Sequence, residues 1–230
     1  MIIATFLLVL LFLLIILKRI EHFDNFQHPL FNKYPYMRKH GNQVKFKKIN
    51  YMFRKIVKIF NKYPEVKYWC MYGTLLGLHR DKYILPWDYD IDFGMNIEDL
   101  DDLWRNEDLK EDLRRVGLEL KLSKNNTLKI YRSVDIPKNT GDKFYKGTTH
   151  ADIYLYKKKG EYLYRGCFYD WSPIYCNKWI GRQRFLYKNV YPLKKVYLKN
   201  YNLYTYFPKN VPKVLEVNYP DWRKPKYTHV

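Results

Sequence analysis

The chain has 230 residues, a formal net charge of +19 and an aromatic content of 19%, including 24 tyrosines. With an apolar N-terminal run set aside, that length fills one domain core and excludes a second independent one, while three cysteines, a small and odd number, exclude a disulfide framework as the basis of the fold. The charge points to an anionic partner, yet 12 of the 23 acidic residues lie between Asp81 and Asp112 against three basic ones, so an acidic island sits in a basic chain.

From Ile2 to Leu17 the chain is apolar apart from Thr5, and Lys18 and Arg19 close the run. These 16 residues reach roughly 24 Å as a helix, a little short of a hydrocarbon core but able to span it if the basic pair snorkels. No basic residue precedes the run and no small-x-small cleavage site follows it, so the expectation is a retained single-pass membrane anchor over 1–19, one transmembrane helix, rather than a cleaved signal peptide. By the positive-inside rule Lys18 and Arg19 put the following domain on the cytoplasmic face. Residues 20–43, with Pro29 and Pro35 and no sustained period, read as a linker or strap, and 44–230 as the domain proper.

Between Val44 and Tyr63 apolar residues recur at Ile49, Met52, Phe53, Ile56, Val57 and Phe60, with lysines on the remaining face, which predicts a surface helix stopped by Pro64. Val66–Tyr72 reads as a buried strand, followed by a turn and short helix around Gly73–His79, and Asp90–Phe93 as a second strand. Asn96 can cap a helix from Ile97 to about Val116, ended by Gly117, whose early acids Glu98, Asp99, Asp101 and Asp102 complement the helix dipole. Strands are predicted at Leu118–Leu122, Thr127–Arg132, Ala151–Lys157, Glu161–Arg165 and Leu203–Phe207, then a short helix begun by Pro212. This order is α+β, with a mixed β-sheet flanked by helices. Cys70 belongs to an apolar run and reads as a buried hydrophobe, whereas Cys167 and Cys176 can pair or join a zinc site.

Chemistry concentrates in two adjacent runs, Tyr72-Gly73-Thr74-Leu75-Leu76-Gly77 and Pro86-Trp87-Asp88-Tyr89-Asp90-Ile91-Asp92-Phe93. Strand alternation puts Asp88, Asp90 and Asp92 on one face, where three carboxylates about 7 Å apart repel each other until a divalent cation neutralises them. Oxygen ligands suit Mg²⁺ or Mn²⁺ rather than zinc. Gly73 and Thr74 can offer N–H groups and a hydroxyl to phosphate oxygens, and Arg80 a guanidinium clamp. Asp152, flanked by Ala151 and Ile153, is a third metal ligand or the base that deprotonates an acceptor hydroxyl. The neighbouring His150 reads as a structural, hydrogen-bonding histidine.

The run Tyr72–Phe93 resembles the signature of the LicD/fukutin-related family, and the resemblance continues through Asp152, Pro192-Leu193-Lys194-Lys195 and Tyr219-Pro220-Asp221-Trp222. It implies a nucleotidyltransferase-like fold and transfer of phosphocholine, ribitol phosphate or a similar group from a CDP-linked donor to a glycan or glycoconjugate acceptor. Bacterial relatives decorate cell-surface polymers and animal relatives work in the Golgi, so the resemblance leaves the cytoplasmic face and the ER or Golgi lumen both open. Residue by residue, Gly73, Thr74 and Arg80 match the donor-phosphate region, Asp90 and Asp92 the metal pair, Asp88 the position just before it, and Asp152 the third acid. Two other classes share some of these features: a metal-dependent glycosyltransferase, which also uses an Asp-x-Asp pair, and a non-catalytic basic module binding RNA or anionic lipid. The second leaves the aspartates without a purpose, and no nucleic-acid partner is expected.

Overall fold

A computed structural model describes residues 27–122, 128–135, 149–165 and 184–224. The segment ahead of the first long helix is structured. His28 caps helix α1, Pro29–Lys33, its Nδ1 accepting from the Leu30 N–H at 3.2 Å, and a 3₁₀ turn follows over Pro35–His40. Leu30, Phe31 and Met37 are buried, so the strap is part of the core.

Helix α2, Gln43–Phe60, starts at Asn42, whose side chain accepts from the Lys45 N–H at 3.0 Å. Ile49, Met52, Phe53, Ile56 and Val57 are fully buried along one stripe, as their spacing requires. This 18-residue helix also carries five lysines and one arginine. Among the described residues no helix is long and apolar enough to cross a membrane, which overturns the single-pass membrane location for this part of the chain. The run 1–19 lies outside the described residues, as do Cys167 and Cys176.

Strand β1, Tyr68–Cys70, lies antiparallel to β2, Asp90–Asn96, and β2 runs parallel to β5, His150–Lys159. On its other side β5 takes β4, Leu128–Arg132, antiparallel, and β4 takes β3, Leu118–Leu122. The far end of β5 pairs with β6, Tyr162–Arg165, and β6 with β7, Arg184–Leu186. Among the described residues this makes one mixed seven-stranded sheet, the expected α+β arrangement. Its apolar face meets α2, where Phe53 and Phe93 stack with ring centres 6.4 Å apart. Cys70 is buried, with Sγ 3.4 Å from Thr205 Oγ1, and burial pushes its thiol up to about 12.

Two expectations need correction. The single helix predicted over 97–116 is a 3₁₀ turn at Ile97–Asp99, then α4, Leu100–Trp104, and α5, Glu107–Arg115. Asn106 causes the break: its side-chain oxygen accepts from the Leu109 N–H at 2.9 Å, the donor a continuous helix would give to the Arg105 carbonyl. The second concerns the C-terminal third, where α6, Tyr187–Val190, and β8, Lys194–Leu198, join the expected β9, Leu203–Phe207, and α7, Val211–Asn218. Strand β8 pairs with β9 in a separate hairpin and buries only Leu198 of its five residues, so no alternation marked it.

Candidate active site

Parallel pairing of β2 with β5 sets Asp90 beside His150 and Asp92 beside Asp152. Because side chains alternate along a strand, all four stand on one face of the sheet, opposite Ile91, Phe93, Ala151 and Ile153. The antiparallel register of β4 then puts Lys129 beside Asp152 and Tyr131 beside His150, so the polar patch extends across three strands. One ligand atom each of Asp90, His150 and Asp152 lies within 4.8 Å of the other two, a grouping that can hold a metal ion. Asp92, expected in the metal pair, is not in that group of three. It adjoins it, with Oδ2 3.7 Å from where a Cβ on Gly73 would stand.

The carboxylates differ in charge because their partners differ. Burial, then the charges of Asp88 and Asp152, lifts Asp90 to about 8. Burial and the neighbouring acids also push Asp92 well up, and burial raises Asp88. Burial would raise Asp152 as well, but His150 and Lys129 outweigh it and hold that carboxyl below its ordinary value. Lys129 Nζ stands 2.6 Å from Asp152 Oδ1. The contact is an ion pair between two nearly buried side chains, so water screens it little. Tyr154 donates to Asp152 Oδ2 at 3.2 Å, and His150 Nε2 lies 3.6 Å from the same oxygen. Burial, then Asp92, raises the Tyr154 phenol well up, so it stays a neutral donor at this carboxylate.

The glycine turn is built into the same patch. Helix α3, Tyr72–Leu76, follows β1 directly, and buried Thr74 accepts from the Asp92 N–H at 2.9 Å, fastening the helix to the strand that carries the acids. Tyr72 opens the helix at a φ of 39°, left-handed backbone that costs a tyrosine about 1–3 kcal/mol. Its hydroxyl, 2.9 Å from that of Tyr156, and its ring, edge-on to Tyr154 at 4.9 Å, hold it there. A Cβ at Gly73 would lie 2.4 Å from Asp88 Oδ2, so only glycine allows this carboxylate its place. Gly73→Ala is therefore expected to displace Asp88 and lower turnover about 100-fold or more. Its melting temperature should stay near wild type, since alanine favours the helix; steady-state kinetics and a thermal melt of the same preparation check both.

Arg80, expected at the donor phosphates, has other partners. It lies in a π-helical turn, Gly77–Asp81, where Nε donates to Asp81 at 2.7 Å and Nη1 to the Trp222 carbonyl at 3.1 Å. Asp88 precedes β2 rather than belonging to it, yet it reaches the same cluster beside Gly73. Sequence reading missed Lys129, which only strand register brings to Asp152, and it missed Tyr154 and left His150 a structural role although alternation along β5 already puts both on the face of Asp152. Tyr219, in the late run already singled out, also nears the cluster: burial, then Asp92 and Asp88, raises its phenol.

A sequence profile described as LicD/FKTN/FKRP, nucleotidyltransferase domain, matches residues 65–210. An uncharacterised protein of Rickettsia typhi is 29% identical over 161 residues, which cover 70% of this chain and 42% of that protein. One from Rickettsia prowazekii is 28% identical over 163 residues, 70% of this chain and 50% of its own length. Human ribitol 5-phosphate transferase FKRP is 51% identical over 35 residues, 15% of this chain and 7% of the human protein. The chain thus spans half or less of the length of these curated relatives.

Proposed function

Because the chain belongs to the LicD/FKTN/FKRP nucleotidyltransferase-domain family, we propose that it is a metal-dependent transferase moving a phospho-substituted group from a CDP-linked donor to a glycan hydroxyl. The observation that carries this reading is the convergence of Asp90, His150 and Asp152, with Asp88 and Asp92 beside them, on one face of a parallel strand pair. Burial pushes up Asp88, Asp90 and Asp92, and the neighbouring acids push Asp90 and Asp92 further, the signature of a site short of positive charge. The carboxylate oxygens of this set suit Mg²⁺ or Mn²⁺, and of the two the imidazole of His150 favours Mn²⁺.

Asp90, His150 and Asp152 would hold the ion, with Asp92 adjoining. When bound, such an ion offsets the charge of a donor diphosphate and of its leaving group. Lys129 and Tyr154 fix Asp152 in orientation, and its lowered proton affinity makes it a better ligand than base. The raised carboxyl of Asp88 is the better proton acceptor, taking the acceptor hydroxyl's proton as that oxygen attacks phosphorus and the nucleoside monophosphate leaves. Thr74 keeps its own O–H proton to donate, since its oxygen only accepts from the Asp92 N–H.

The test is incubation of the full chain with CDP-ribitol or CDP-choline, a glycan acceptor and Mn²⁺ or Mg²⁺. Cytidine monophosphate is expected, its release stopped by EDTA, with Asp88→Asn lowering turnover while metal affinity stays near wild type. Release of a nucleoside diphosphate from a nucleotide sugar would assign glycosyl transfer instead. No nucleotide product from any donor would sink the reading.

A further inference from the structure

A cavity of about 1040 Å³ opens between the β8–β9 hairpin, the start of α7 and the π-helical turn. It is large enough for a small-molecule ligand and shares no lining residue with the carboxylate cluster. Five lysines line it: Lys82, Lys188, Lys194, Lys199 and Lys209. No aspartate or glutamate does so among the described residues. Lys82 Nζ donates to the His79 carbonyl at 2.8 Å, a contact that leaves its charge unneutralised. The other four form no ion pair among the described residues.

Ammonium groups gathered round one concavity raise its potential, and an apolar wall of Val196, Phe207 and Val211 strengthens that field by displacing water. Asn210 caps the eight-residue helix α7 and lines the cavity, so the positive end of the helix dipole adds to the same field. The carboxamide of Asn189 and that of Asn200, whose Nδ2 already donates to the Lys82 carbonyl at 3.1 Å and whose Oδ1 still accepts, supply neutral hydrogen-bonding groups. We propose that this cavity is a binding site for a phosphate ester of a polyol or sugar, distinct from the carboxylate cluster. The lysines take the phosphate, the asparagines take hydroxyls and the apolar wall takes the carbon skeleton. A monoanion would satisfy one or two of five lysines, whereas a phosphate ester brings two negative charges and three acceptor oxygens. The inference does not depend on what the carboxylates do.

Isothermal titration of the full chain, stripped of metal on a chelating resin, with glycerol 3-phosphate tests it. Metal removal suppresses metal-dependent binding at the carboxylates, and loss of the remaining heat in a cavity variant assigns it to the lysines. Sedimentation with phosphatidylcholine vesicles, with and without phosphatidic acid, runs alongside. Saturable, salt-sensitive binding is expected, weakened at least ~10-fold in the double variant Lys194→Ala/Lys209→Ala, whose thermal melt should match wild type because both side chains are exposed. Binding in solution assigns a soluble ester. Binding to phosphatidic acid vesicles alone, still lost in the double variant, assigns a lipid headgroup of the same phosphomonoester chemistry. Absence of binding to either probe, or binding undiminished in the variant, overturns the proposal.

Discussion

Asp90→Asn is expected to abolish metal binding and group transfer while raising the melting temperature of the chelated protein by several degrees. The two effects have opposite signs because one carboxylate serves the ion and strains the fold without it. Among the acids, Asp90 is lifted to about 8 by burial and by the charges of Asp88 and Asp152, against an ordinary value of 3.8. The unfolded chain therefore ionises this group first as pH rises. Its contribution to stability is complete below 3.8 and lost as pH climbs through about 8. Thermal melts in EDTA should show stability falling across that window in the wild type and a flatter profile in Asp90→Asn. Added Mn²⁺ should reverse the trend in the wild type alone, since a ligand of the native state stabilises it. A variant that still gains stability from Mn²⁺ and still turns over would remove Asp90 from the ligand set.

Asp81→Ala should cost about 3–5 kcal/mol of stability, the usual penalty for leaving one buried charge without its partner. Asp81 ties three segments together. Its Oδ1 accepts from Lys33 at 2.7 Å and from the Tyr34 hydroxyl at 2.8 Å, and its Oδ2 accepts from Arg80 at 2.7 Å. The Asp81 side chain is fully buried and the Arg80 side chain 8% exposed, so removal of the carboxylate strands a guanidinium in the interior. Arg80 also holds the Trp222 carbonyl, so the C-terminal segment near the cluster should loosen with it. Urea denaturation measures the loss, and Asp81→Asn, which keeps an acceptor oxygen, should fall between the two. A midpoint within experimental error of wild type for Asp81→Ala would show that the network carries no stability. Acid acts on the same network: burial opposes the charge, but Lys33, Arg80 and Tyr34 hold Asp81 below its ordinary value. This stabilisation is present above 3.8 and lost as pH falls below it.

Local patterns carried much of the architecture. Helix α2 was legible because its buried residues fall at helical spacing, β3 because its leucines alternate with charged residues, and β9 because a short, largely aromatic and apolar run is bounded by turn residues. The run from Tyr72 to Phe93 identified the carboxylates because an Asp-x-Asp-x-Asp alternation beside a glycine turn is rare without a shared purpose. The break at Asn106 and strand β8 were not legible: the first depends on one side chain outcompeting a backbone acceptor, the second on pairing rather than burial.

By itself, then, the sequence determined which atoms were available: aspartate oxygens on one strand face, a glycine where a side chain would intrude, and a surplus of lysine. Tertiary structure decided their partners. Parallel register of β2 with β5 brought His150 and Asp152 to Asp90, register of β4 brought Lys129, and the burial of Asp81 drew Arg80 into an internal ion pair. The physical reason is range. Side-chain alternation and helical period act over a few residues and can be read along the chain, whereas charge and metal coordination act over a few ångströms between residues up to about sixty positions apart.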